Sequence, residues 1–368
     1  MPTAVVTDGK YRSSIAAVRA LGRAGYQVVV TQTRGDCEKE PAVFSSKYAS
    51  ETVWIEGKAS DADYPCRLSE ILKQYQHPVL FCVGAQTLNM VSAHREEFSS
   101  FCDFLIAPQS VLDGLNDKET VHRRAQELGI PAPCQYDGEP ESYPVVIKPH
   151  CGEKFGLKAQ DRYAIASNRE EYLRVLEKMS RYDPNPIVQE KISGDGFGVS
   201  MLLDGDGRLV CALCHRRIRE YPVSGGPSTC CESVYDEKKI DQAYELLRSF
   251  DFVGLAMVEF KGDCILEVNP RVWGSFPMTE QAESPMVARY AAAARGEELS
   301  YCPRDYKTGV RMRFLLNDTL AVLGYLRKGP RGKGLAGIPD LLFGTEALAA
   351  KDDPKPFRRY LSGYLLRK

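Results

Sequence analysis

Short apolar runs separated by amphipathic stretches dominate the first hundred residues. Ala4–Thr7 is a strand-sized run that ends in Asp8-Gly9. From Ser13 or Ser14, Ile15, Val18, Ala20 and Leu21 recur at three- and four-residue spacing, the period of a helix face. Gly25 stands where such a helix stops. Val28-Val29-Val30, Val53-Trp54-Ile55 and Val79–Val83 read as further strands, with helix-like Cys66–Tyr75 before the last. Strands alternating with helices predict a parallel sheet covered on both faces.

A second block begins near Pro108. Ser110–Leu115 and Asp117–Leu128 read as helices, the second closed by Gly129 and Pro131. Pro144–Pro149, with Lys148 near its end, and Ile187–Glu190 are strands, with an Asn-capped helix at Asn168–Met179 between them. The pattern then becomes a meander. Val199–Leu203 and Leu209–Leu213 flank Asp204-Gly205-Asp206-Gly207, a strong hairpin signal. Ala256–Phe260 and Cys264–Val268 form a second hairpin around Gly262-Asp263, and Lys239–Phe250 and Ser284–Arg295 read as helices. Beyond residue 300, Val310–Leu316 is strand-like and Leu320–Leu326 helix-like. Gly329–Gly334 reads as a flexible basic loop, and Phe357–Leu366 as a short helix.

Composition narrows the classes. With 368 residues, 43% hydrophobic and 26% charged, the chain can bury a sizeable core and should divide into two or three domains. No apolar run reaches the ~18 residues of a membrane span. Residues Met1–Asp8 lack the basic and apolar regions of a leader, so a cytoplasmic location is the expectation. The net charge of −1 gives no case for nucleic acid. Residues 301–368 nevertheless carry 14 Lys/Arg against 6 Asp/Glu. Arg327–Lys333 and Phe357–Lys368 therefore stand as contacts for a carrier protein or an anionic surface, or as a helical cap on the preceding domain.

The twelve cysteines are scattered and read as small apolar residues. Cys211, Cys214 and His215 have the spacing of a c-type haem attachment, but the two cysteines face opposite ways on a strand. The vicinal Cys230-Cys231 pair defeats a zinc set in the same way. No G-x-x-x-x-G-K-[ST] loop and no G-x-S-x-G elbow occurs. Asp8-Gly9-Lys10-Tyr11-Arg12-Ser13-Ser14 is not a dinucleotide fingerprint; it reads as an anion site at a helix start or a plain turn.

The richest chemistry lies between Met257 and Arg271. Glu259 and Glu267 sit on paired strands, and Glu267 and Asn269, two apart, point to one face. Two carboxylates and an amide form an oxygen-rich nest suited to Mg²⁺. Arg271 adds a planar cation fit for a phosphate or acyl phosphate. In His215–Glu220, strand alternation puts Arg217 and Arg219 on one face, beside the Gly225–Ser228 loop, as a pair able to grip a carboxylate. His215 is a candidate base, phosphate ligand or structural histidine.

The Glu…Glu-x-Asn-x-Arg ending resembles that of an ATP-grasp domain, of the kind in carbamoyl phosphate synthase large chains and in proteins labelled predicted ATP-grasp carboligases. Three further segments carry the resemblance in the right order. They are Asn116-Asp117-Lys118 before Gly129-Ile130-Pro131, Val146-Ile147-Lys148-Pro149, and Val188-Gln189-Glu190-Lys191-Ile192-Ser193-Gly194-Asp195. The resemblance covers about three quarters of the chain. It implies an α/β fold: a Rossmann-like domain at 1–108, an ATP-grasp domain at 109–300 with lobes 109–186 and 187–300, and a basic extension at 301–368. It implies that Lys118 and Lys148 bind ATP phosphates. It further implies that Gln189, Glu190, Lys191 and Ile192 bracket adenine, and that Asp195 accepts from ribose. The segment His150–Lys158 departs from the family's glycine-rich flap, and Lys154 and Lys158 stand in for the missing backbone donors. Glu259, Glu267 and Asn269 would hold Mg²⁺, with Mn²⁺ as a substitute. The implied activity is ligation of a carboxylate to an amine through an acyl phosphate, with bicarbonate-dependent carboxylation or a non-catalytic nucleotide-binding regulator as the alternatives. A homodimer is compatible with this reading.

Overall fold

The protein is described by a computed structural model covering residues 1–150, 157, 163–223 and 225–365. It is an α/β structure with three sheets. Strands β1 (Thr3–Val6), β2 (Gln27–Thr33), β3 (Ala49–Ile55) and β4 (Val79–Phe81) form a parallel sheet in the order β3-β2-β1-β4. Neighbouring valines explain its double burial. Val28 and Val30 enter one hydrophobic cluster, with Ile15, Val18 and Leu21 of the helix Arg12–Arg23. Val29 enters another, with Leu68, Leu72, Leu88 and Val91. The Asp8 turn joins β1 to the helix Arg12–Arg23. The Asp8 carboxylate accepts from Gly84 N at 3.0 Å and from Thr87 Oγ1 at 3.0 Å, tying the end of β1 to the turn after β4.

The second sheet is small: β5 (Val145–Lys148), β6 (Ala164–Ala166) and β7 (Ile187–Glu190), antiparallel in the order β6-β5-β7. It has its own cluster, built on Val145, Ile147, Tyr172, Met179 and Val188. The third sheet contains β8 (Gly196–Leu203), β9 (Leu209–Glu220), β10 (Ser228–Val234), β11 (Gly254–Lys261), β12 (Cys264–Asn269), β13 (Arg311–Arg313) and β14 (Thr345–Glu346). Its order is β12-β11-β8-β9-β10-β13-β14. Both hairpins expected from the turn signals are present. The large sheet shares both of its hydrophobic clusters with the N-terminal sheet, so these two pack as one body. Tyr290 fastens the join, donating to Leu80 O at 3.1 Å and accepting from Leu105 N at 3.2 Å.

The basic extension is tied into the large sheet rather than resting on it. Only Arg311–Arg313 of the strand-like run is strand; Leu315–Lys328 is helix. The expected loop at Gly329–Gly334 is also corrected, because a helix runs over Arg331–Phe343. Its glycines serve packing: a Cβ on Gly334 would lie 2.8 Å from Leu326 Cγ, and one on Gly337 would lie 2.6 Å from Val322 Cγ2. Among the described residues no helix is long and apolar enough to cross a membrane.

Candidate active site

The site lies where the small sheet meets β11, β12 and the helix Lys118–Glu127. Asp117 caps that helix, accepting from Thr120 N at 2.7 Å, which fixes Lys118 in the first turn. Lys118 Nζ reaches Glu267 Oε2 at 3.2 Å. Glu267 is the direct cross-strand partner of Glu259. Asn269 Nδ2 donates to Glu259 Oε1 at 3.3 Å, and Arg217 of β9 donates to Glu259 from the other side. Lys148, at the end of β5, is buried against this group. Six of the residues singled out in the sequence thus converge: Lys118, Lys148, Arg217, Glu259, Glu267 and Asn269.

Their electrostatics are uneven. Burial alone would raise Glu267, but Lys118 and then Lys148 outweigh it and hold this carboxyl down to about 2. Glu259 is raised by burial and by the neighbouring Glu267 charge, against the pull of Arg217. Burial and the Lys118 charge bring Lys148 down to about 7. Both Glu259 and Lys148 are therefore under-compensated in their charged forms.

Three groups behind the site had no motif to announce them. His122, one helical turn after Lys118, places Nε2 at 2.8 Å from Leu266 O, and its Nδ1 lies 3.0 Å from Gln135 Nε2. Burial and Lys148 lower it to about 4, so it stays neutral at physiological pH. His150 follows Lys148 by two residues, and Asp183 Oδ2 anchors its backbone N–H at 2.9 Å and its Nδ1 at 3.0 Å. Gly196 and Gly198 of β8 leave room between β9 and β11. A Cβ at 196 would lie 3.0 Å from Arg217 Cδ, and one at 198 would lie 2.3 Å from His215 Cε1. This clearance lets Arg217 reach across β8 to Glu259.

The hinge residues stand between the two sheets. Gln189 is buried on β7. Glu190 Oε1 accepts from Cys134 N at 3.1 Å, and Lys191 N donates to Pro144 O at 3.3 Å. Ile192 is half-buried, and Asp195 is exposed, 3.9 Å from Arg216 Nη1. Arg271 follows β12 and donates from Nη1 to Val272 O at 3.1 Å. It also borders a narrow cleft that includes Cys82, Leu88, Leu112, Phe252 and Tyr290 in its walls. Lys154 and Lys158 lie outside the described residues.

Two expectations need correction. Arg217 and Arg219 do not share a face. A bulge at Ile218 sets Arg217 opposite Cys231 and Arg219 opposite Cys230, which are consecutive residues of β10. Arg219 turns to the far side of the sheet, buried, and donates to Asp318 at 2.9 and 2.7 Å and to Asp340 at 2.8 Å. It therefore has no access to a substrate beside Glu259. His215 is also fully buried, 3.1 Å from Ser275 Oγ, and burial with the nearby Arg217 charge lowers it to about 3. A histidine so placed fits the structural alternative rather than the base. Cys211, Cys214, Cys230 and Cys231 are buried free thiols that burial pushes above their ordinary range.

Comparison with known proteins bears on the stretch that carries these lysines and carboxylates. Residues 115–275 match the sequence profile of the ATP-grasp domain. This stretch is an ATP-grasp domain. Among curated proteins, the chain is similar to the carbamoyl phosphate synthase large chains of Myxococcus xanthus and Thermus thermophilus. It is 25% and 24% identical to them over 305 residues, each alignment covering 76% of this chain. The chain spans about a quarter of those relatives' length, 26% and 28% respectively. The fold resembles the biotin carboxylase domain of Hydrogenobacter thermophilus 2-oxoglutarate carboxylase, described in complex with MgADP, ADP and bicarbonate. The TM-score is 0.65 at 14% identity, covering 84% of this chain and 74% of that one. It also resembles the L-amino acid ligase of Bacillus licheniformis, with a TM-score of 0.56 at 14% identity over 80% of this chain and 74% of that one. These structural likenesses extend over most of the chain and concern its fold.

Proposed function

We propose that the protein is an ATP-dependent carboxylate–amine ligase. The observation that carries this reading is the cluster of Lys118, Lys148, Glu259, Glu267, Asn269 and Arg217 between two separately packed lobes. Lys118 and Lys148 would neutralise the phosphates of ATP, and the connection from Gln189 to Ile192 would border the base, with Asp195 at the ribose. Glu259, Glu267 and Asn269 fit Mg²⁺, because hard cations take carboxylate and amide oxygens, and Glu259, raised by burial and by the adjacent Glu267 charge, would gain from a cation. The ion would supply charge stabilisation on the transferred phosphoryl group.

The free protein neutralises itself: Lys118 sits on Glu267, and Arg217 sits on Glu259. Binding of a polyanion would draw the lysines onto phosphate and release the carboxylates. The small sheet, with its own core, is the lobe suited to close over the nucleotide and exclude water. The carboxylate substrate would take the γ-phosphoryl group, giving an acyl phosphate and ADP. Arg271 and Arg217 would face the negative charge of that intermediate. An amine would then attack the acyl carbon, expel inorganic phosphate and lose a proton, leaving an amide.

The test is Mg²⁺-dependent release of ADP and phosphate from ATP, challenged with pooled amino acids and small carboxylates, and separately with bicarbonate. Release that requires a carboxylate together with an amine supports the ligase. Release that requires bicarbonate and no amine replaces it with carboxylation. Nucleotide binding without release from any pool favours a regulator.

A further inference from the structure

The helix Arg331–Phe343 is built inside out. The residues it buries are Gly334, Gly337 and Asp340, one turn apart. Its large apolar residues point to solvent: Leu335 is 59% exposed, Leu342 70% and Phe343 86%, with Ile338 beside them. The partner helix Leu315–Lys328 adds exposed Leu320 and Leu323. Single exposed leucines are ordinary, but six large apolar residues on one hairpin form a patch that calls for an occupant.

Charge narrows what that occupant is. The two acids of the hairpin, Asp318 and Asp340, are turned inward onto Arg219. Its exposed charges are Arg327, Lys328, Arg331 and Lys333, all basic, gathered at the turn between the helices. Among the described residues no acidic side chain pairs with them. The outer surface is thus apolar and cationic at once. A second copy of the same surface would offer no counter-charge. At 70% and 86% exposure, Leu342 and Phe343 are projecting knobs, not the walls of a groove that would seat a peptide. Knobs of Leu and Phe on the same hairpin as a Lys/Arg cluster suit penetration into a soft anionic interface. The hairpin is about 20 Å long, at 1.5 Å per residue, with the basic cluster at one end and Leu342 and Phe343 at the other. Lying flat, it engages lipid along its whole length.

We propose that the hairpin Leu315–Phe343 is a peripheral docking element for an anionic lipid surface. This does not rest on the ligase reading. The experiment is vesicle flotation with the full chain, using phosphatidylcholine alone and an equal mixture of phosphatidylcholine and phosphatidylglycerol. One variant carries Leu342→Ser with Phe343→Ser. A second carries Arg327→Gln, Lys328→Gln, Arg331→Gln and Lys333→Gln. All six side chains are exposed, and circular dichroism and melting establish that each variant is folded. The expected result is flotation with the mixed vesicles only, weakened by salt. Affinity should fall about fivefold for each basic residue removed, and flotation should be lost in the double serine variant. Failure of the unaltered chain to float with mixed vesicles at low salt overturns the proposal. So does flotation that both variants retain. A dimer in sedimentation that the serine variant breaks, with vesicles ignored, also overturns it and assigns the face to a second copy.

Discussion

The two sides of β9 both carry charge, and they dispose of it in opposite ways. On the side of Glu259, Lys148 is pulled down to about 7 and Glu259 is raised, so the charged form of each is less favoured than in water. On the other side, Arg219 is gripped by both oxygens of Asp318 and by Asp340, and Thr229 Oγ1 adds a further bond to Asp318 at 2.9 Å. Every donor and acceptor there is answered from within the chain. A saturated buried network locks one arrangement of the fold. Beside Glu259, burial of Lys148 next to Lys118 and of Glu259 next to Glu267 sets like charges together, and the proposed nucleotide and cation would relieve both. Two arginines set two residues apart in the sequence thus divide, Arg219 bracing the fold and Arg217 facing the proposed site.

The largest expected effect on stability is therefore on the saturated side. Asp318→Ala leaves Arg219 buried with half of its partners and Thr229 without an acceptor. Breaking a buried pair in this way costs about 3–5 kcal/mol. Urea unfolding should show a clear loss of midpoint. A change within the scatter of surface substitutions would break the distinction between the two sides.

Lys148→Met acts on the other side and should have the opposite sign. It removes a buried cation whose charged form is disfavoured, so stability at neutral pH should rise, by about 1 kcal/mol. Turnover with ATP should fall on the order of 10²–10³-fold, as when one preorganised donor is lost. Stability that falls together with turnover would make Lys148 a structural residue.

The third effect is a proton. The ordinary value of 10.5 for Lys148 falls to about 7 in the folded protein. Between these values the unfolded chain holds a proton that the folded chain has lost, so this residue makes stability rise with pH across that window and contributes no slope below it. Polyphosphate beside Lys148 would restore its charge. Nucleotide binding at pH 8 should then take up about one proton, and at pH 6 almost none. Calorimetry in two buffers of different ionisation enthalpy measures this directly. Equal uptake at both pH values, or uptake that persists in Lys148→Met, would refute it.

Local signals explain which features were legible in the sequence. The Asp204–Gly207 turn and the Gly262-Asp263 turn fixed two hairpins, and with them the pairing of Glu259 and Glu267. Asp117 before Lys118 marked a helix start. The Ile218 bulge left no such mark, because a bulge is set by the register of β9 against β10, and strict alternation then misplaced Arg219. The helix Arg331–Phe343 was hidden by its own glycines, which lower helix propensity locally and are repaid only by close packing on Val322 and Leu326. The alternate glycines Gly196 and Gly198 were a readable signal for close approach across β8, and their meaning depends on which side chains lie opposite.

The smallest expected effect lies where the two sides meet. Arg216 faces the same way as Arg219 but reaches the hinge. It donates to Glu232 Oε2 at 2.9 Å and lies 3.9 Å from Asp195. Arg311 joins Glu232 at 3.2 Å to Asp340 at 3.1 Å, so a ladder of charges runs from the basic hairpin to the proposed ribose contact. Its rungs near the hinge are half-exposed, so each is worth under about 1 kcal/mol and is screened by salt. Arg216→Gln should leave unfolding almost unchanged. It should raise the KM for ATP about two- to threefold, a difference of under 1 kcal/mol, without altering kcat, since it loosens Asp195 and touches no phosphate group. Added salt should reproduce the effect in the unaltered protein and add little in the variant. An unchanged KM would reduce the ladder to surface pairing. A fall in kcat would mean that the ladder reaches past the ribose contact to the reacting phosphate, and that the two sides of β9 are coupled rather than merely adjacent.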